Sequence, residues 1–87
     1  MSKTTKFKWT TTTDPDGVNT YEGENERFVG CVEYVGDDLF ENPMWYASLF
    51  DKEHGRPVPV NDFGTPFTSS HSAKEAIMRA INKESLR

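Results

Sequence analysis

One apolar stripe near the C-terminus constrains the fold of this chain more than any other feature of its sequence. Its members follow i, i+3, i+4, i+7, i+8 spacing, which predicts an amphipathic helix with one buried face; they are Ala73, Ala76, Ile77, Ala80 and Ile81. Ser72 and Glu75 fit the S-x-x-E capping box and predict where this helix begins. Lys83 and Arg87 lie where positive charge complements the dipole at the end of a helix.

The segments before this helix alternate in the way that predicts half-buried strands. They are residues 3–13, 18–21, 27–35 and 44–51. Between the first two lies DPDG, residues 14–17, whose proline and glycine favour a type I turn with a bulge. Two prolines confine residues 56–60 to an edge strand or an extended segment, because proline donates no amide hydrogen bond.

We therefore expect a single α+β domain over residues 1–87, with a three- to four-stranded antiparallel sheet and one C-terminal helix packed on one face. The strands over 27–35 and 44–51 are apolar on both faces. On the strand over 27–35, one face carries Phe28, Val32 and Tyr34, and the other carries Val29, Cys31 and Val35. On the strand over 44–51, one face carries Trp45, Ala47 and Leu49, and the other carries Met44, Tyr46 and Phe50. A single helix covers one face, so the other must be covered by loops, by a second copy or by a partner.

The composition is typical of a folded cytoplasmic protein. Aromatic residues reach 13%, which is high for a disordered chain and suits a small core. One cysteine cannot form a disulfide framework, and the N-terminal MSKTTKFKW has no apolar run that would make a signal peptide. No stretch approaches the ~18 apolar residues that a membrane helix needs.

The negative charge is concentrated in the middle of the chain. Residues 14–42 hold nine acids and one base, Arg27, whereas the rest holds nine bases and five acids. An acidic surface repels nucleic acid and speeds association with basic partners. The alternative is a solvated face that serves only solubility.

The candidate catalytic and metal-binding residues do not form a pattern that predicts an enzyme. Cys31 lies between apolar neighbours in mid-strand, which predicts an inert thiol packed in the core. His54, His71 and Asp62 contain a two-histidine, one-carboxylate set, but their spacing does not support a metal site. We expect no enzymatic activity, no cofactor and no metal.

Two further hypotheses remain open. A structural homo-oligomer would place Trp45 or Tyr46, and Val29 or Val35, at a two-fold interface on the uncovered sheet face. A single-stranded nucleic-acid binder would stack bases on that aromatic face, but the acidic charge of the chain opposes this function.

The stretch GDDLFENP, residues 36–43, carries the clearest functional signal, because it places Leu39 and Phe40 among acids in a predicted loop. In one interpretation the two apolar residues fold back and cap the core. In the other they fill a pocket of a partner while the acids meet its basic rim, since interfaces combine an apolar centre with a charged border.

The second interpretation predicts a small acidic protein-binding module that occupies a basic surface of a larger protein. If that surface normally holds DNA or RNA, the chain acts as an inhibitor. The candidate partner-binding residues are Asp37, Asp38, Leu39, Phe40 and Glu41, with Glu22, Glu24 and Glu26 adding electrostatic steering.

In size and layout the chain resembles small phage and mobile-element proteins, including some anti-CRISPR proteins: under a hundred residues, acidic, with a small sheet and one helix. The resemblance implies an anti-defence inhibitor that binds a nucleic-acid-binding complex. It covers architecture only, so it assigns no role to any individual residue.

Overall fold

A computed structural model describes residues 7–60 and 66–86 of the chain. They form a five-stranded antiparallel sheet in which every strand lies beside its neighbour in sequence, followed by one helix. The elements are β1 (Lys8–Thr13), β2 (Asn19–Glu24), β3 (Phe28–Asp37), β4 (Pro43–Asp51), β5 (Arg56–Pro57) and α1 (Ser70–Ser85). The expected α+β class with a C-terminal helix is confirmed. The part of the first predicted strand over residues 3–6 lies outside the described residues.

The strand count is five rather than three to four, because the short segment β5 pairs with β4. The paired residues are Phe50 with Pro57 and Asp51 with Arg56. Val58 then donates its N–H to the carbonyl oxygen of Leu49 at 2.9 Å. The two prolines keep this edge strand short, because proline has no amide N–H to donate to the sheet.

The helix packs on the face of β3 and β4 that carries Phe28, Val32 and Leu49. These residues are almost completely buried, and so is the apolar stripe of α1. Lys74 extends from the helix across β2, with its Nζ 3.8 Å from the centroid of the Tyr21 ring. The predicted division of each strand into two faces is therefore confirmed, and the structure shows that the helix covers the face of β3 with Phe28 and Val32 and the face of β4 with Leu49.

The predicted capping box was wrong by one turn. The helix begins at Ser70, and its N-cap is Ser69, whose Oγ accepts a hydrogen bond from the N–H of Ser72 at 3.1 Å. Ser72 therefore lies inside the first turn, where its own hydroxyl bonds to Ser69 at 3.0 Å. Glu75 pairs instead with His71 at 3.1 Å on the exposed side of the helix. Lys83 does lie in the last turn, as predicted.

Two neighbouring glycines allow an aromatic ring to lie flat on the sheet. Gly23 and Gly30 are paired across β2 and β3. A Cβ atom added to Gly23 would collide with the Phe7 ring, and one added to Gly30 would meet that ring and the carbonyl oxygen of Ser48, each at 3.3 Å. This close packing extends the core to the N-terminal end of β1.

No helix in the described part of the chain is long and apolar enough to cross a membrane.

Candidate functional site

The loop between β3 and β4, residues 38–42, is held in one conformation by its first residue. We call it the tip loop. Asp38 donates its N–H to the carbonyl oxygen of Asn42 at 2.9 Å and accepts the N–H of Glu41 at 3.0 Å. Its side-chain Oδ1 accepts the N–H groups of Phe40 at 2.8 Å and Asn42 at 2.9 Å. This is a type I turn followed by a left-handed residue, a common three-residue hairpin loop.

The fourth residue of the tip loop adopts a backbone conformation that glycine normally supplies. Glu41 has φ 65°, and it is the one non-glycine residue with positive φ in the described chain. A side chain in this region costs about 1–2 kcal/mol, because Cβ crowds the following carbonyl oxygen. The surrounding hydrogen bonds therefore hold Glu41 in place against its own preference.

Leu39 and Phe40 point away from the protein. Their exposed fractions are 96% and 82%. The interpretation in which they fold back over the core is therefore wrong. The turn itself explains the outcome, because its two central residues lie at the apex of a hairpin, beyond the reach of the core.

The β3–β4 hairpin carries the tip loop past the last residue pair between β2 and β3. The last residue of β3 that pairs with β2 is Glu33, opposite Thr20. Residues 34–37 continue the strand for about 13 Å more, at ~3.3 Å per residue. Phe67 supports this extension on its other side by a reciprocal pair of 2.8 Å hydrogen bonds with Trp45.

Two of the predicted contact acids are used within the hairpin. The N–H groups of Asn42 and Phe40 hold the pKa of Asp38 below its usual value, because they stabilise the ionised carboxylate. Asp37 accepts a hydrogen bond from the hydroxyl of Tyr34, and this bond raises the pKa of the phenol. Asp38 consequently shapes the loop, and its Oδ1 is occupied by two backbone N–H groups, whereas the predicted contact role requires a carboxylate that is available to a partner.

The eight candidate partner-binding residues do not form one site. Asp37, Asp38, Leu39, Phe40 and Glu41 lie together at the end of the β3–β4 hairpin. Glu24 is the last residue of β2 and Glu26 lies in the β2–β3 connection, at the other end of β3. A strand of ten residues separates the two groups by about 30 Å. Glu24 also binds Lys52 at 2.7 Å, which neutralises part of its charge.

Glu22, the remaining candidate, lies on the sheet face away from the helix, opposite Cys31. We call this surface the open face. It carries exposed apolar side chains on β3 and β4, and a groove of about 890 Å³ runs across part of it. These side chains are Val29, Val35, Tyr46 and Phe50. With Leu39 and Phe40, they place six of the seven exposed large hydrophobic side chains of the described chain on one hairpin.

Cys31 lies half-buried in this groove, so its predicted place in the core was wrong. The strand alternation that buries Phe28 and Val32 turns Cys31 to the opposite face. Desolvation raises the pKa of its thiol, and Glu33 and Glu22 add to the effect by repelling a thiolate. The thiol is therefore held in its protonated, weakly nucleophilic form.

A buried carboxylate, which the sequence analysis did not single out, organises the other end of the sheet. Asp51 is completely buried and accepts two hydrogen bonds from the Arg27 guanidinium, at 3.2 and 3.0 Å. It also accepts the N–H groups of Glu53 and His54, and it contacts His54 Nδ1 at 2.7 Å. The Arg27 guanidinium holds the pKa of Asp51 well below its usual range.

Asp51, Glu53 and His54 bring three possible ligand atoms within 4.8 Å of one another. The Asp51 oxygens, however, are already engaged by a guanidinium and two backbone amides, so a cation would have to displace Arg27. We regard the cluster as a structural clamp between residue 27 and residues 51–54. The sequence contains one signal for this cluster, because Asp51 falls in the same alternation as the buried Leu49 of β4.

The two histidines that the sequence offered as weak metal-ligand candidates have different partners in the described part of the chain. His54 contacts Asp51, whereas His71 pairs with Glu75 in the first turn of the helix. Asp62 lies outside the described residues.

The charges on the open face oppose nucleic-acid binding. On the strands of this face the charged residues are Lys8, Glu22, Glu24 and Glu33. Lys74, one of the bases that would have neutralised phosphates, lies instead against Tyr21 on the helix side. A stacking surface with this acidic balance repels a phosphate backbone.

Comparisons with protein-family models, with curated proteins and with solved structures give no match to this chain.

Proposed function

We propose that this chain is a small protein-binding module that inserts Leu39 and Phe40 into an apolar pocket of a larger protein. The observation that carries the proposal is the exposure of both side chains at a rigid hairpin apex. Burying a leucine or phenylalanine side chain contributes about 1.5–3 kcal/mol. The free protein does not gain this free energy, because both side chains are exposed. Apolar anchors at the centre of an interface supply most of its binding energy.

The tip loop is already ordered for such contact. The Asp38 carboxylate fixes the turn, and Glu41 remains in a left-handed conformation despite its cost. A loop that keeps its bound shape when free loses little conformational entropy on binding. Strain of this kind is retained where the surrounding structure and a function both require it.

The pocket that receives the tip has a basic border in this proposal. Glu41 and Asp37 flank the two apolar residues, and the turn between β1 and β2 adds Asp14 and Asp16 at the same end of the sheet. These acids speed the approach to a cationic surface. Glu22, Glu24 and Glu26 lie elsewhere and contribute only to the long-range field.

A basic surface is typical of proteins that hold DNA or RNA, and carboxylates imitate phosphates there. We therefore propose that the chain inhibits a nucleic-acid-binding protein by occupying this surface, as an anti-defence protein of a phage or mobile element would. It acts by binding, without catalysis and without a cofactor.

The test is a differential capture experiment with a matched control. The wild-type protein, Leu39→Ser/Phe40→Ser and Leu86→Ser are immobilised, and the proteins that each retains from a lysate are quantified by mass spectrometry. Leu86 is 86% exposed but lies at the C-terminal end of the helix, far along the chain from the hairpin. The proposal expects specific partners to be lost by the double variant and kept by the control. Identical partner sets for all three proteins would contradict it.

The open face offers a second candidate function, a structural homo-oligomer, because it exposes Tyr46 to 50% and Val35 to 42%. Two open faces packed on each other would bring Glu22 and Glu33 of both copies together. Like charges in an apolar interface are costly unless they are paired. This charge distribution makes face-to-face self-association the weaker candidate.

A further inference from the structure

The two edges of the sheet differ in how well they are covered. On the β4 side, hydrogen bonds reach Trp45 from Phe67 and Leu49 from Val58, and β5 pairs with the end of the strand. On the other side, β1 is the outermost strand of the described sheet. The helix lies over β3 and β4, and towards this edge it extends the Lys74 side chain, whose Nζ lies 5.4 Å from the centroid of the Trp9 ring.

The ladder shows which groups of β1 face outward. Asp14 donates its N–H to the Val18 carbonyl oxygen at 3.0 Å, so this pair is hydrogen-bonded. Bonded and non-bonded pairs alternate along an antiparallel ladder. Lys8, Thr10 and Thr12 therefore bond to β2. The remaining residues, Trp9, Thr11 and Thr13, direct their N–H and C=O groups away from the sheet.

The strand lacks the features that usually protect an edge from pairing. Proteins protect edges with proline, bulges, short strands or several charges. β1 has six residues, pairs with β2 in unbroken register, contains no proline and carries one charge, at Lys8. Four consecutive threonines give it high β-propensity.

We propose that β1 pairs antiparallel with β1 of a second copy of this chain, about a two-fold axis through Thr11. In this register Thr11 faces Thr11 of the second copy, and Trp9 faces Thr13 on both sides. All three residues with outward backbone groups then form hydrogen-bonded pairs. The product is a continuous ten-stranded sheet across the axis.

The charges of the two copies are complementary in the same register. Lys8 of each chain lies opposite Asp14 of the other, because their positions are equally distant from Thr11 in opposite directions. Asp14 uses Oδ1 to accept the N–H groups of Asp16 and Val18, so the pairing with lysine falls to Oδ2. A head-to-head arrangement of this kind closes as a dimer and does not propagate.

The dimer leaves both tip loops free. β1 and the β3–β4 hairpin are separated by β2, and the tip loop projects along the strands while the new pairing extends the sheet sideways. The inference is therefore independent of the proposed partner-binding function, and each stands if the other fails.

The mass of the full-length protein tests the dimer directly. Light scattering after size exclusion, over a concentration series into the high micromolar range, is expected to show a dimer. Thr11→Pro removes one outward N–H without removing a bond to β2, and it is expected to give a monomer with an unchanged far-ultraviolet spectrum. A wild-type protein that stays monomeric throughout overturns the proposal.

Lys8→Glu provides a variant that keeps the backbone intact. It places like charges opposite each other at two symmetric positions, and it is expected to raise the dimer Kd at least about tenfold. Salt is expected to weaken the wild-type dimer and to strengthen this variant. A dimer whose Kd responds to neither change overturns the proposed register.

Cross-linking distinguishes the register from any other dimer. In a Cys31→Ser background, Thr11→Cys places two thiols on facing residues, whose Cα atoms lie about 5.5 Å apart in a hydrogen-bonded pair. Thr13→Cys, the matched control, leaves its two thiols offset by about 13 Å along the strands. Selective oxidation of the Thr11→Cys protein to a covalent dimer supports the register, and equal or reversed yields overturn it.

Discussion

The turn between β1 and β2, residues 14–18, and the tip loop share one backbone but carry opposite kinds of side chain. We call the former the first turn. In each, the first residue is an aspartate whose Oδ1 accepts two backbone N–H groups at 2.8–2.9 Å. In each, the fourth residue has positive φ, 84° at Gly17 and 65° at Glu41. The central residues differ: Pro15 and Asp16 in one, Leu39 and Phe40 in the other.

The first turn carries the residues that its conformation favours. Proline presets the first central φ, and glycine accepts the left-handed position without strain. The tip loop departs from these preferences at all three corresponding positions. Because the identical backbone forms well with ordinary turn residues, folding does not require leucine, phenylalanine and glutamate here. The difference between the loops therefore supports the proposed binding role of the tip loop.

Exchanging the three differing residues of the tip loop for those of the first turn is expected to have a large effect on partner binding. Replacing Leu39, Phe40 and Glu41 by Pro, Asp and Gly, the residues of the first turn, keeps the backbone and removes the apolar anchors. Since each anchor contributes about 1.5–3 kcal/mol when buried, partner affinity is expected to fall about 100-fold or more. Isothermal titration with a captured partner measures the change. The chimera should remain folded, and unchanged affinity would rule out the tip loop as the contact.

A glutamate placed in the first turn should reproduce the strain of the tip loop. Gly17 has φ 84°, and nothing lies within 4 Å of a Cβ atom added there, so the cost is confined to the backbone. Gly17→Glu is expected to lower the free energy of unfolding by about 1–2 kcal/mol. Urea denaturation measures the loss, with Asp16→Glu as a control at an exposed position. Equal stabilities of the two variants would show that positive φ is not costly in this backbone.

The reverse change, glutamate to glycine at residue 41 of the tip loop, should stabilise the protein. Glu41→Gly relieves the left-handed strain but gives the unfolded chain more freedom, so we expect a net gain of about 0.5–1 kcal/mol. Glu41→Ala removes the carboxylate while keeping Cβ, and it should give no such gain. Denaturant midpoints of the three proteins separate the two effects. A gain for alanine equal to that for glycine would assign the cost to charge rather than to backbone conformation.

The sequence predicted the parts of this fold that follow from local preferences. The DPDG turn, the two faces of β3 and β4 and the apolar stripe of α1 each depend on side chains that are close in the chain. The apolar residues of the tip loop were predicted to be unusual. Its backbone conformation could not be predicted, because a glutamate in the sequence does not indicate a residue with positive φ. Its similarity to the first turn becomes visible only when the two aspartates are aligned by their hydrogen bonds.

The features that the sequence did not predict depend on distant parts of the chain. Asp51 meets Arg27 across 24 positions, and Glu24 is separated from Asp37 by the length of β3 even though both belong to one acidic segment. Cys31 lies outside the core because the strand alternation places it on the face opposite the helix. Charge density along a sequence therefore predicts the long-range field better than it predicts a contact surface.

The smallest expected effect concerns the aspartate that shapes the tip loop. The N–H groups of Asn42 and Phe40 lower the pKa of Asp38 in the folded protein. A group whose folded pKa is depressed adds stability above its unfolded pKa, and this stability disappears as the pH falls through the folded value.

Asp38→Asn still offers an oxygen to the amides but cannot titrate. The stability difference between wild type and this variant is therefore expected to be constant near neutral pH and to shrink in acid, as thermal melts from pH 7 to pH 2 would show. Because the site is exposed, the change should be slight, and parallel curves across this range would mean that the ionised carboxylate does not hold the loop.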